Sequence, residues 1–280
     1  MQKLPQKKLD VKLIALDLDD TLLDSSRLIS SRNVSILKRA AAVGIYIVLC
    51  SGRAEDAILP YVRQLGIAGT QAGRYIIAIN GCSIFDLHER KQIYRRTVAP
   101  EILLHADCEA EKAGLRSEVY SPDTIFYREE TKWTKLDVDL CGLKGKAVPE
   151  YKQFLSTPEA FPKMLIPGEP EKLELLQKKL KESLAGKAVI FTSKPYFLEI
   201  LPPGCGKGEA VQWLAQHIGI SGKCTAGFGD SMNDESMIRQ CGWGIAMCNG
   251  HEYIQQAADF VTEKSNDESG IGDFIEKYIL

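Results

Sequence analysis

Asp17, Asp19 and Asp20 fall in the stretch Lys12-Leu13-Ile14-Ala15-Leu16-Asp17-Leu18-Asp19-Asp20-Thr21-Leu22-Leu23, where an apolar run ends abruptly in acids. Crowded carboxylates repel one another unless a cation holds them, and Mg2+ is the readily available cation for an all-oxygen site. In an extended strand, residues two apart point to the same side, so Asp17 and Asp19 can face one pocket. One carboxylate beside a metal can attack phosphorus and form an aspartyl-phosphate. The other can protonate a leaving group and later take a proton from water. The plainer alternative is an acidic turn in which Thr21 is a local hydrogen-bonding residue.

Ser51-Gly52-Arg53 follows a second apolar run. A hydroxyl and a free backbone N–H at a strand-to-helix junction suit a phosphate oxygen. A simple helix N-cap at Ser51 is the competing explanation. Lys207 lies in Pro202-Pro203-Gly204-Cys205-Gly206-Lys207-Gly208, which at first suggests a phosphate-binding loop. That reading fails, because Leu201 stands where the motif needs glycine and Gly208 where it needs Ser or Thr. A lysine opening a helix here can instead neutralise a phosphate and nearby acids, or sit solvated on the surface. Gly227-Phe228-Gly229-Asp230-Ser231-Met232-Asn233-Asp234 ends another apolar strand in acids. An N-capping role explains Asp230 or Asp234 singly, but not both together with the earlier pair. Strand ends near 17, 51, 207 and 230 thus carry acid, hydroxyl, lysine and acid. In a parallel sheet such ends converge on one crevice.

The elements that must position these residues follow from apolar runs and turn signals. Strands are expected over 11–18, 45–50 and 75–79, with helices over 30–43 and 54–65 between them. Alternation of this kind implies parallel βαβ units and a doubly wound sheet. The rhythm changes after about 83. A hairpin is expected within 84–98, a helix over 101–113, a strand-like stretch over 115–128, a helix over 171–184 and strands over 188–192 and 197–200. The first rhythm returns after Pro202-Pro203, with a helix over 207–217, strands over 223–229, 243–247 and 260–262, and helices over 234–241, 252–258 and 271–278. The simplest organisation is an α/β core from residues 1–83 and 197–280, interrupted by an α+β insertion over 84–196.

Composition narrows the function classes. The chain has 280 residues, 45% hydrophobic and 26% charged, an ordinary globular balance with room for one or two domains. A net charge of −2 argues against a nucleic-acid partner or an acidic membrane surface. No apolar stretch is long enough to span a bilayer. The first twelve residues carry lysines but no apolar core of a secretory signal, and the profile fits a cytoplasmic protein. The eight cysteines form no CxxC pair and read as buried, reduced thiols.

With these residues in view, the chain resembles the haloacid dehalogenase superfamily, specifically its Cof-like phosphatases with an inserted type IIB α/β cap. The family's DxDxT motif corresponds to Asp17-Leu18-Asp19-Asp20-Thr21, its second motif to Ser51-Gly52-Arg53, its lysine to Lys207, and its GDxxND motif to Gly229-Asp230-Ser231-Met232-Asn233-Asp234. The resemblance implies that Asp17 is the nucleophile and a Mg2+ ligand. It makes Asp19 the general acid/base, with its backbone carbonyl on the metal, and Asp230 the remaining protein ligand. Ser51, Gly52 and Lys207 would hold the phosphoryl group. Asn80-Gly81 resembles the family's Asn-Gly segment near the substrate phosphate. Asn233 and Asp234 would orient Lys207 and metal-bound waters. Asp20 departs from the glycine common there, which touches the turn and not a ligand. Asp19 favours phosphate hydrolysis over dehalogenation, since a halide leaves without a proton.

The expected function is Mg2+-dependent hydrolysis of a small phosphorylated metabolite, a sugar phosphate or a cofactor phosphate, by a monomer or homodimer. The insertion would act as a lid that reads the leaving group. The alternatives are a phosphomutase of the phosphomannomutase type and, from another class, a catalytically idle binding protein.

Overall fold

The computed structural model describes residues 4–157 and 161–280, so part of the N-terminal stretch read above, residues 1–3, lies outside the described residues. The chain starts with β1 (Leu13–Leu16), α1 (Ser31–Ala42), β2 (Tyr46–Cys50), α2 (Glu55–Leu65), β3 (Tyr75–Ala78), β4 (Ser83–Asp86) and β5 (Lys91–Arg95). It continues through α3 (Pro100–Lys112), β6 (Glu118–Tyr120), β7 (Thr124–Tyr127), α4 (Lys132–Cys141), β8 (Lys144–Ala147), α5 (Tyr151–Leu155), β9 (Met164–Pro167), α6 (Pro170–Ser183), β10 (Val189–Lys194) and β11 (Phe197–Leu201). It closes with α7 (Lys207–His217), β12 (Thr225–Gly229), α8 (Glu235–Gln240), β13 (Trp243–Ala246), α9 (Glu252–Ala257), β14 (Phe260–Val261) and α10 (Gly270–Tyr278). Two compact units result. One comprises the chain up to Gly52 with Ile58–Tyr94 and Gly206–Leu280, and the other Arg53–Ala57 with Arg95–Cys205.

The first unit is built on an eight-stranded sheet in the order β14-β13-β12-β1-β2-β3-β4-β5. Its pairs from β14 to β3 are parallel, and β4 returns antiparallel to β3. Every residue of β1 and β12 is buried, as expected for strands covered on both faces. On one face Leu13, Ala15, Val48, Cys50, Tyr75 and Ile77 pack against Ala210, Val211 and Leu214 of α7 and Met237 of α8. The period-2 spacing along each strand is what aligns these side chains. Burying each of the Leu, Val, Ile and Met side chains among them contributes roughly 1.5–3 kcal/mol, before the entropy of ordering the chain is set against it.

The second unit has a six-stranded sheet, order β10-β11-β9-β6-β7-β8, antiparallel except for the parallel β7–β8 pair. Val119, Met164, Ile166, Leu198 and Ile200 meet Ile102 and Leu103 of α3 and Leu173, Leu176 and Leu180 of α6. On β6 and β11 alternate positions carry polar residues: Glu118, Tyr120 and Glu199 are all buried.

Several boundaries differ from expectation. The hairpin near 84 belongs to the first sheet, because β4 pairs with β3. Phe197–Leu201 belongs to the second sheet, because it pairs with β9 and β10. The stretch read as one strand over 115–128 is two strands, β6 and β7, turning at Ser121, whose N–H bonds Thr124 O at 2.9 Å. The first strand ends at Leu16, not at 18, since the chain turns directly after Asp17. No helix among the described residues is long and apolar enough to cross a membrane.

Candidate active site

Four neighbouring strands, β12, β1, β2 and β3, end at one edge of the first sheet and deliver Asp230, Asp17, Ser51 and Asn80. Backbone bonds carry the alignment past the strand ends. Asp17 N donates to Phe228 O at 3.0 Å, Ser51 N to Ile77 O at 3.0 Å and Asn80 N to Ser51 O at 2.9 Å. Lys207 opens α7, as the sequence suggests, but the strand before it pairs in the other sheet, so it does not follow a strand end of this sheet and the loop before it brings it in. Gly81 makes that approach possible. Its φ is +91°, and a Cβ there would lie 2.1 Å from Gly206 O. Ile79 and Asn80 before it also have φ of +50°, unusual for side-chain-bearing residues and a mark of a constrained turn.

Lys207 is fully buried and its Nζ donates to Asp17 Oδ1 at 2.5 Å and to Asp234 Oδ1 at 2.6 Å. Asp234 Oδ2 accepts from Asp230 N at 3.0 Å and Ser231 N at 3.1 Å. Both its oxygens are thus committed to holding Lys207 and the turn after β12. Gly229 leaves room for this, because a Cβ there would sit 2.4 Å from Asp234 Cβ. Asp230 Oδ1 accepts from Thr21 Oγ1 at 2.8 Å, which ties β12 to the turn after β1. Asn233 Nδ2 donates to Asn80 Oδ1 at 3.2 Å, and Asn233 Oδ1 accepts from Ser231 Oγ at 2.6 Å. Gly52 lies against the same asparagine; a Cβ on it would approach Asn80 Oδ1 to 3.0 Å.

Asp19 reaches this edge by a different route from the one expected. It sits in a single turn, Leu18–Leu22, with extended φ and ψ of −70° and 129°, and Asp20 after it has φ 59°. Strand alternation therefore does not place its side chain on the Asp17 side.

The electrostatics follow from three carboxylates and one ammonium in a dry setting. Burial first, then the Asp234 charge, pushes the Asp17 carboxyl well above its ordinary range, while Lys207 pulls it back. Asp230 is pushed up to about 7, again by burial first and then by Asp234. Burial works against the charge on Lys207, yet Asp17 and Asp234 outweigh it and hold the ammonium above the ordinary lysine range. Ligand oxygens of Asp17, Asp230 and Asp234 lie within 4.8 Å of one another. An all-carboxylate donor set of this kind fits a hard divalent cation such as Mg2+. Since Asp234 is occupied by Lys207 and two backbone N–H groups, Asp17 and Asp230 are the side chains suited to it.

In the second unit, Tyr120, Tyr127 and Arg128 serve internal packing. Tyr120 donates to Asp137, Tyr127 is buried, and Arg128 binds Glu111 at 2.9 Å and Asp107 at 3.1 Å. The Cys50 thiol is raised by burial, in keeping with an inert core cysteine.

The chain matches the family model for haloacid dehalogenase-like hydrolases over residues 14–275. It is 32% identical to the 5-amino-6-(5-phospho-D-ribitylamino)uracil phosphatase YwtE of Bacillus subtilis, over 96% of this chain and 98% of that protein. A haloacid dehalogenase-like hydrolase from Bacteroides thetaiotaomicron superposes with a TM-score of 0.84 at 31% identity, covering 95% of this chain and 99% of that one. The subclass IIB sugar phosphatase BT4131 shares the fold, with a TM-score of 0.81 at 24% identity over 95% of this chain and 98% of that one.

Proposed function

From the premise that the chain belongs to the haloacid dehalogenase-like hydrolase family and is a phosphoric monoester hydrolase, we propose that it is a Mg2+-dependent phosphatase working through an aspartyl-phosphate on Asp17. The observation that carries this reading is the Asp17–Lys207–Asp234 chain, with Asp230 beside it. It presents a buried carboxylate next to a fixed ammonium, where a phosphoryl group needs a nucleophile and a counter-charge together.

Asp17 attacks phosphorus with a carboxylate oxygen, and the bond from phosphorus to the leaving oxygen breaks. Asp19 gives its proton to that oxygen. Water then attacks the phosphorus of the acyl phosphate, Asp19 takes the water proton, and the Asp17 carboxylate leaves as inorganic phosphate forms. Lys207 stabilises the phosphoryl oxygens, and Ser51, Gly52, Asn80 and Gly81 line their path with a hydroxyl, an amide and backbone N–H groups. Mg2+, held by Asp17, Asp230 and the Asp19 carbonyl, would supply further charge neutralisation when bound. Asn233 and Asp234 keep Lys207 and the turn after β12 in place.

The substrate is a small phosphorylated metabolite, a sugar phosphate or a cofactor phosphate. The names of YwtE and BT4131, a phosphorylated ribitylaminouracil phosphatase and a sugar phosphatase, support that class. The test is phosphate release from an aryl phosphate and a panel of sugar and cofactor phosphates, with Mg2+ and with chelator. Mg2+-dependent release supports the reading. No release from any of them by folded protein contradicts it.

A further inference from the structure

The turn that carries Asp19 is braced from a distant part of the chain. Asp20, at its crest, has φ 59° and ψ 8°, a left-handed conformation that costs a side-chain-bearing residue roughly 1–2 kcal/mol. No glycine relieves that cost, so contacts must hold it. The turn closes on itself through Leu23 N to Leu18 O at 2.9 Å. Its outward carbonyls are taken by two asparagines. Asn249 Nδ2 donates to Asp20 O at 2.8 Å, and Asn266 Nδ2 donates to Leu23 O at 2.9 Å. The asparagines are joined, since Asn266 N donates to Asn249 Oδ1 at 3.1 Å. Beyond them, Ser25 N and Oγ both donate to Asp267 at 2.7 Å, and the Ser30 and Ser269 hydroxyls meet at 2.8 Å.

The same loop also grips the metal-side acid. His251 N donates to Asp230 O at 2.7 Å, and a Cβ on Gly250 would come within 2.8 Å of that oxygen. Asn249 therefore stands where the backbones carrying Asp19 and Asp230 are tied to one loop.

We propose that Asn249 and Asn266 are positioning residues that aim the Asp19 carboxyl at the leaving-group oxygen, by fixing the Asp20 and Leu23 carbonyls. This rests on the reading of Asp19 as the general acid. Proton transfer demands hydrogen-bond reach at the moment of bond breaking, and a misplacement of about 1 Å can cost on the order of 100-fold. Releasing the Asp20 carbonyl lets the left-handed turn relax and swings the residue before it.

The test separates aim from simple scaffolding through the leaving group. A nitrophenolate departs with little need of a proton, whereas the alkoxide of a sugar or glycerol phosphate must be protonated. Asn249→Asp keeps the acceptor for Asn266 N and removes the donor to Asp20 O; Asn249→Ala removes both. The value of kcat/KM, which reports steps through phosphoryl transfer, is measured on p-nitrophenyl phosphate and on an alkyl phosphate. The proposal expects the alkyl substrate to lose at least about 10-fold more than the aryl one. Equal losses on both substrates, or no loss, would overturn it. Asn249 is exposed, so its variants should fold; unfolding midpoints check this, and Asn266→Ala is a second probe. Wild-type protein releasing phosphate from neither substrate would instead sink the phosphatase reading, and this inference with it.

Discussion

Lys207 Nζ and Asp17 Oδ1 lie 2.5 Å apart although 190 residues separate them in the chain. Asp234 Oδ1 accepts a second bond from the same Nζ at 2.6 Å, and both Lys207 and Asp234 are fully buried. Removing one partner of such a network leaves charge without compensation in a dry site. Lys207→Ala should therefore lower stability by about 3–5 kcal/mol and abolish phosphate release together. Denaturant unfolding of the variant checks the first effect, and an unchanged midpoint would contradict it.

Asp17→Asn tests chemistry apart from folding. The amide oxygen can still accept from Lys207, but the negative charge of the proposed nucleophile is gone. Turnover should fall to background while the unfolding midpoint stays near that of the wild type. Asp19→Asn should lose both leaving-group protonation and water activation, with the greater loss on alkyl phosphates. Steady-state kinetics on an aryl and an alkyl substrate distinguish the two variants.

Gly81→Ala tests the close approach that seats Lys207. The new methyl would meet Gly206 O at 2.1 Å, and φ of +91° disfavours any side chain. A cost of about 1–3 kcal/mol is expected, with a fall in kcat as Lys207 shifts. Normal stability and activity would show that the two loops can separate freely.

A pH prediction comes from the second unit. Glu118 is buried on β6 facing Asp137 of α4, with Tyr120 and Lys163 alongside. Burial first, then the Asp137 charge, holds the Glu118 carboxyl well above its ordinary 4.5. The folded protein thus keeps a proton that the unfolded chain releases. This stability is full below about 4.5 and is lost as pH rises from there through the raised folded value, by up to ~1.4 kcal/mol per pH unit. Glu118→Gln carries no such proton, so its stability relative to wild type should rise with pH. Urea unfolding of both proteins across the neutral range checks the slope, and parallel curves would contradict the assignment.

The parts of this site that were legible in the sequence are those set locally. An apolar strand followed at once by acid marks Asp17 and Asp230, and a hydroxyl after a strand marks Ser51, because strand and ligand position are coupled in parallel sheets. Lys207 was legible as a residue but not in its placement, since the strand before it pairs in the other sheet. For Asp19, the strand ends before it and an acidic turn was already an open reading, but its facing Asp17 by strand alternation does not hold, because the chain leaves the extended path at Leu18 and passes through a left-handed Asp20. In the second unit, β8 has every residue exposed and so shows no apolar alternation. The asparagines at 249 and 266 gave no signal at all, because their partners are backbone carbonyls far away in sequence.

In the proposed mechanism Asp17 carries the phosphoryl group. The most direct test mixes enzyme and substrate, quenches in acid within the first turnover, and weighs the peptide containing Asp17 by mass spectrometry. The expected result is an acid-stable, base-labile gain of one phosphoryl group on Asp17, absent in Asp17→Asn. Phosphate release at full rate with no phosphoryl group on that peptide, or with the group on another residue, would contradict it.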